Sequence, residues 1–218
     1  MSFQGSVEAN CPSCQDGFTA PIWSFVHGGK DAALRDQAKA MECNLLLCPS
    51  CGAAFVPEAA WIYYEPKEEI LAFVFPTSFK AEEAKWRDKM KADFAAMREA
   101  LGDHLPIGHE PEVFFGPEGL AQLLELEDWR SDERDVMAFF AQDLGLSLYK
   151  ASPAWAREHG APSWFPYAGK TPTRDSLIAG IKKIVAANER LTAWSDYLAK
   201  LEKAEKDAGL PPAAMAAH

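Results

Sequence analysis

Apolar and polar positions change their rhythm along the chain, and the rhythm divides it. From residue 7 to 76 the pattern is that of strands. Phe18-Thr19-Ala20-Pro21-Ile22-Trp23-Ser24-Phe25-Val26 is rich in β-branched and aromatic residues, and Pro21 favours an edge or a bulge. Asn44-Leu45-Leu46-Leu47, Trp61-Ile62-Tyr63-Tyr64 and Ile70-Leu71-Ala72-Phe73-Val74-Phe75 follow. The last two flank Glu65-Pro66-Lys67-Glu68-Glu69, a polar proline turn of hairpin length. Between the first two runs, Ala32, Ala33, Leu34 and Ala38 predict a short helix from Asp31 to Lys39.

Beyond Pro76 the period becomes helical. Ser78 is placed to cap a helix that Gly102 ends, with Trp86, Met90, Phe94, Met97 and Leu101 on one stripe. His104 to Pro111 reads as a Pro/Gly-rich link. Pro117 opens a short helix through Leu120, Leu123 and Leu124, and Ser131 is expected to cap another, through Phe140, that stops at Gly145. Residues 152–172, with four prolines and two glycines, read as a loop-rich connector, in which Ser152-Pro153 can start one helical turn. A final long helix is expected from Thr171-Pro172 to about Asp207. Gly209, Pro211 and Pro212 end it, and a disordered Ala-rich tail follows. On this helix Leu177, Ile181, Ile184, Asn188, Leu191, Ser195 and Leu198 form a heptad-like seam with one polar residue near its middle. Such a seam covers its own domain's core or pairs with a second copy, which makes a homo-oligomer an expectation of the sequence.

The fold class expected is α+β: a β-rich ribbon with helical elaboration and a long C-terminal helix. The corresponding divisions are 1–148, a 149–172 aromatic connector, and a 173–218 helical arm with its tail.

Charge narrows the functions. Lys plus Arg is 22 and Asp plus Glu is 32, a net −10. Residues 1–102 are net −4, 103–169 net −8 and 170–218 net +2. A protein that neutralises phosphates needs the opposite balance, so nucleic acid and anionic membrane are disfavoured as partners. No apolar run approaches the roughly 18 residues of a membrane helix, and Met1 to Ser6 lacks the pattern of a signal peptide. A reducing cytoplasm is the expected location, where cysteines serve metal or catalysis more readily than disulfides.

The chemistry lies in a duplicated motif. Cys11-Pro12-Ser13-Cys14 recurs as Cys48-Pro49-Ser50-Cys51-Gly52. Each pair can grip one face of a tetrahedral ion, so Cys11, Cys14, Cys48 and Cys51 make the ligand set of one structural Zn²⁺ per chain. The small serines let backbone N–H groups turn toward sulfur, and Gly52 permits a left-handed residue after the second pair. A redox CxxC would stand alone near a βαβ unit, and here there are two on β-type segments. Zinc deaminases require an upstream H-x-E and a proline before the cysteine pair, whereas His27 is followed by Gly28 and Gly29. Four thiolates close the coordination shell, which argues against catalysis at the metal.

These residues resemble the CpXC domain, a bacterial and archaeal zinc-ribbon-like family named for its two Cys-Pro-x-Cys motifs. Trp23 after the first motif, Asn44 four residues before the second, Trp61-Ile62-Tyr63-Tyr64 and Phe75-Pro76 are similar to it. So are Val113-Phe114-Phe115-Gly116, Leu120 and the Asp132–Met137 segment, which extends the resemblance over about residues 7–145. The resemblance implies metal binding.

Other features are weaker. Cys43 reads as a buried thiol or a spare ligand. His104 and His109 flank Leu105-Pro106-Ile107-Gly108 without a recognised ligand spacing. Ser163-Trp164-Phe165-Pro166-Tyr167 is either core or a docking surface. No GxSxG, GxGxxG or phosphate loop occurs. The expectation is a non-enzymatic zinc-binding protein acting as an interaction or adaptor module. The alternatives are a nucleic-acid-binding zinc ribbon, or an enzyme with an unrecognised site in the helical half.

Overall fold

A computed structural model of the chain describes residues 1–188, 191–203 and 210–214. The fold is α+β. The chain divides into two compact units that meet between Leu126 and Glu127, rather than near residue 148.

The first unit is built on a five-stranded sheet of order β1-β2-β5-β6-β7. Its strands are β1 (Phe3–Asn10), β2 (Gly17–His27), β5 (Trp61–Glu65), β6 (Ile70–Phe75) and β7 (Glu112–Phe115). β1/β2 and β5/β6 pair antiparallel, whereas β2/β5 and β6/β7 pair parallel. β5 and β6 are the expected hairpin, closed by one helical turn at Pro66–Glu68. Strand alternation decides what each face receives. Ile70, Ala72 and Val74 join Val26, Trp61 and Tyr63 against Leu34 and Ala38 of α1 (Ala32–Lys39) and against Leu120 and Leu124. Leu71, Phe73 and Phe75 face the other way, onto Met90 and the half-buried Trp86, Phe94 and Met97 of α2 (Glu83–Leu101). With helices on both faces, every residue of β6 is buried, so this central strand shows a continuous apolar run. Pro21 is tolerated because β5 pairs only with Phe25–His27 and does not reach it.

Two smaller points differ from the sequence reading. Ser78 does not cap α2; it lies in a tight helical turn over Thr77–Glu82 and donates to Glu58. The Asn44–Leu47 run gives only a two-residue strand, β3 (Leu46–Leu47), paired with β4 (Ala54–Phe55).

The buried charge of Glu65 is compensated. Glu65 accepts from the Tyr63 hydroxyl at 2.7 Å and from the Arg35 guanidinium at 3.2 Å. His27 is buried beside them, 5.1 Å from the Tyr64 ring, and burial lowers its pKa.

The helix opened by Pro117 does not stop before Ser131. α3 runs unbroken from Glu118 to Asp143, and Ser131 lies in its interior because its neighbours continue the helical hydrogen bonds. The second unit then differs from the expected connector and arm. Residues 149–172 are not a loop. They contain α4 (Pro153–His159), capped by Ser152 with Pro153 in its first turn, and most of a hairpin of β8 (Ser147–Lys150) with β9 (Trp164–Tyr167). The aromatic cluster is core: Phe165 is fully buried, with Trp155, Trp194 and Tyr197 rings 6.5, 6.0 and 5.0 Å away.

The single long helix is two. α5 (Arg174–Ala187) ends at Asn188, whose extended backbone breaks the helical path, and α6 begins at Thr192. The expected stretch from 204 to 207 and the tail from 215 lie outside the described residues. Leu177, Ile181 and Ile184 of the seam are buried with Phe165 and Trp194, and Leu191 and Leu198 pack against them. Among the described residues the seam therefore covers the unit's own core. Part of the tail is also ordered: the Ala214 N–H bonds Lys150 O and the Ser152 N–H bonds Pro212 O, which adds a short edge beside β8.

Candidate metal centre

Each Cys-Pro-Ser-Cys segment forms the tip of a hairpin. The first joins β1 to β2 and the second joins β3 to β4. The two tips use the same backbone turn. Cys11 donates its N–H to Asp16 O and accepts from Gln15 N–H, both at 2.9 Å. Cys48 does the same with Ala53 O and Gly52 N–H, again at 2.9 Å. Both turns need a left-handed residue after the second cysteine, Gln15 (φ 63°) in one and Gly52 (φ 71°) in the other. The sequence announces this at Gly52 and conceals it at Gln15, where a side-chain bond from Nε2 to Pro12 O accompanies the turn.

The tips bring four sulfurs together. Cys11 and Cys51 lie 3.6 Å apart at Sγ, as do Cys14 and Cys48, and all four sulfurs fall within 4.8 Å of one another. A tetrahedral ion with sulfur ligands at about 2.3 Å requires sulfur separations of about 3.8 Å, so the donor set fits a single metal ion. In each pair the first cysteine is buried and the second exposed. The Ser13 N–H points at Cys11 Sγ at 3.4 Å, as its small side chain allows.

Backbone donors and crowding split the thiols. The Cys14 N–H, with help from Ser13 and against burial, brings the Cys11 thiol down to about 6. The Asp16 N–H acts to lower Cys14, but burial and the sulfurs of Cys48, Cys51 and Cys11 push it up to about 12. Cys51 is lowered by the Ala53 N–H and Cys14, yet Cys11, burial and Cys48 together raise it. The Cys11 thiol is thus lowered while the exposed Cys14 and Cys51 thiols are raised. A cation at the centre favours the thiolate form of all four.

Three contacts outside the sulfurs hold the second tip on the first. The Ser50 hydroxyl donates to the Asp16 carboxylate. Phe18 and Phe55 meet edge to face, 6.1 Å between centroids. Asn44 does the most: its Oδ1 accepts from Trp23 N–H at 2.7 Å and its Nδ2 donates to Trp23 O at 2.9 Å. The amide thus replaces a strand partner for β2 where β5 does not reach. Asn44 also sits at φ 65°, a region asparagine tolerates better than most residues.

The remaining candidates are not brought to this centre. Cys43 is a buried thiol in the sheet core, and burial pushes it up to about 12. His109 places Nδ1 3.0 Å from Glu110 O and Nε2 2.9 Å from Glu69 O, so its ring bridges backbone rather than joining His104. Among the described residues the four cysteines are the one cluster of three or more potential ligands.

The CpXC protein family model matches residues 9–128, which is 120 of the 218 residues. The chain belongs to the CpXC family. No curated protein and no solved structure matches it. The CpXC match takes in both cysteine tips, Trp23, Asn44 and the whole sheet from β2 to β7, and it stops within two residues of the boundary between the units. The resemblance read from sequence ran further, to 145. The Asp132–Met137 segment lies beyond the match, in the second unit.

Proposed function

We propose that this CpXC protein is a non-enzymatic zinc-binding module, with one structural Zn²⁺ per chain held by Cys11, Cys14, Cys48 and Cys51, acting through protein partners as an interaction or adaptor unit. The observation that carries the reading is the convergence of four sulfurs on one point from two equivalent hairpin tips. Four thiolates complete a tetrahedral shell and leave no position for substrate, which supports a structural rather than a catalytic ion. A point with sulfurs this close suits one ion rather than a larger iron–sulfur cluster.

The charge pattern supports protein rather than nucleic acid as partner. On α2, the helix richest in cations, Lys85 pairs with Glu82 at 2.7 Å, Arg87 with Glu83 at 2.7 Å and Lys89 with Asp93 at 2.8 Å. Such pairing leaves no basic strip to displace counterions from phosphates. Among the described residues no helix is long and apolar enough to cross a membrane. A reducing, cytoplasmic setting, where cysteines serve metal more readily than disulfides, is part of this proposal.

Elemental analysis of the native protein tests the metal. One zinc per chain is expected, with zinc lost in Cys48→Ser; metal-free native protein or a fully loaded variant overturns the reading. Titration with duplex DNA and with RNA tests the partner class, and micromolar, steeply salt-dependent binding at physiological salt overturns that part.

A further inference from the structure

β1 is the outermost strand of the first unit's sheet and its far edge has no partner among the described residues. The open positions can be identified. Trp23 gives its N–H and C=O to Asn44, on the side away from β1, so Gln4↔Trp23 is a pair without mutual hydrogen bonds. Alternation along an antiparallel ladder then assigns Gly5, Val7 and Ala9 to bonding with β2. Ser6 faces Pro21, which has no N–H to give, in agreement. The N–H and C=O groups of Gln4, Ser6, Glu8 and Asn10 are left on the open edge. Edge strands are usually blunted by lysine, proline or a covering element, and β1 has neither residue over eight positions.

Beside this edge lies a groove of about 260 Å³, formed by Val7 to Asn10 and Pro12 on one side and Phe55 to Glu58 on the other. Its lining holds Val7, Ala9, Phe55 and Val56 as apolar surface, Glu8 and Glu58 as acidic groups, and no basic residue.

We propose that the open edge of β1 takes an extended, basic and apolar peptide from a partner protein as an added antiparallel strand. The proposal rests on the interaction-module reading and names the partner's chemistry. Main-chain bonds to Gln4, Ser6, Glu8 and Asn10 supply the pairing, and alternate side chains supply the selection. Residues of the added strand that fall on the Val7 and Ala9 face enter the groove and are apolar. Those that fall on the Glu8 face are Lys or Arg, matched to its charge. The same alternation disfavours a second copy of this chain, which is itself net −10 and would lay Glu8 near an identical acidic strand.

The probe is an end-capped octapeptide alternating valine and lysine, titrated against the full-length metal-loaded protein by fluorescence anisotropy and by amide NMR. A valine/glutamate peptide is the charge control. Binding of the lysine peptide alone is expected, with the largest amide shifts at Gln4, Ser6, Glu8 and Asn10. N-methylation of alternate peptide residues should weaken binding about tenfold or more on the set that donates to β1 and leave it unchanged on the other set. This comparison leaves the protein's fold untouched. Glu8→Lys should weaken the lysine peptide by a similar factor, and Ser6→Pro should remove an edge donor without touching the ladder to β2. Equal binding of the two peptides, indifference to both N-methyl sets, or shifts confined elsewhere overturns the proposal. A concentration-dependent dimer that Ser6→Pro abolishes assigns the edge to a second copy and also overturns it. Zinc content, read on the same samples, reports on the module reading independently.

Discussion

Replacing Asn44 by alanine isolates the contact that fastens the second cysteine tip to the sheet. The side chain makes two hydrogen bonds to the Trp23 backbone, at 2.7 and 2.9 Å, and the residue is only 9% exposed. At about 1 kcal/mol net for each bond, their loss costs about 2 kcal/mol, more if the freed Trp23 groups stay shielded from water. Alanine at φ 65° adds roughly 1 kcal/mol that asparagine largely avoids. The total for Asn44→Ala is therefore about 3 kcal/mol. Asn44→Gly removes the same bonds without the backbone penalty and should be the milder change, by at most about 0.6 kcal/mol after its extra unfolded-state entropy. Asn44→Asp keeps the acceptor but turns a second oxygen toward Trp23 O, and should be at least as damaging as alanine at neutral pH. Urea unfolding of the three variants, with metal saturating, gives the ranking. An alanine variant within about 0.5 kcal/mol of wild type, or a glycine variant worse than alanine, refutes the argument that the amide stands in for a strand.

Further outcomes follow from other parts of the structure. Gly52→Ala meets no neighbour within 4 Å at its new Cβ, so its cost is the φ of 71° alone, about 1 kcal/mol by thermal unfolding. Gly180→Ala would place Cβ 2.4 Å from Pro166 O and 2.7 Å from Tyr167 Cα. α5 must then lift from β9, and thermal unfolding should show a loss of several kcal/mol. His27 has its pKa lowered below the ordinary 6.5 by burial, with the N-terminal amine and Lys30 adding and Glu65 opposing. The unfolded ring then binds its proton at a higher pH than the folded one, so stability falls as pH drops below about 6.5. The difference between wild-type and His27→Gln unfolding profiles should grow across that window, and parallel profiles would refute it.

The cysteine cluster was legible because its chemistry is local. Two copies of one four-residue motif name the four residues that converge, and Gly52 states the turn. The β5–β6 hairpin and α1 were legible for a similar reason: period, a proline turn and the helix-favouring Ala32, Ala33, Leu34 and Ala38 lie within a few residues of what they determine. The second unit was not. Trp155, Phe165 and Trp194 come from α4, β9 and α6, and only their packing explains why a Pro/Gly-rich stretch is ordered. The break at Asn188 was hidden because the spacing of Leu177, Ile181, Ile184, Leu191 and Leu198 suits one long helix or two that fold against a common core. Asn44 was visible as a residue but not as a contact, since its partner lies 21 positions earlier. Ser131 looked like a cap because serine caps well, yet α3 carries it within an uninterrupted run.

The brevity of β3 and β4 has a consequence for how the molecule opens. Two residues per strand cannot sustain a hairpin in water, whereas the five-stranded sheet has a core on both faces. Residues 44–58 thus form a subglobal unit, kept closed by Asn44, the Phe18–Phe55 contact and the ion on the proposed reading. Chelation should accelerate amide exchange at the Cys48 and Gly52 N–H groups by orders of magnitude while β6 stays protected. On that reading the ion would act as a latch on one flap of the domain, and its stabilising effect would be local before it is felt by the fold as a whole.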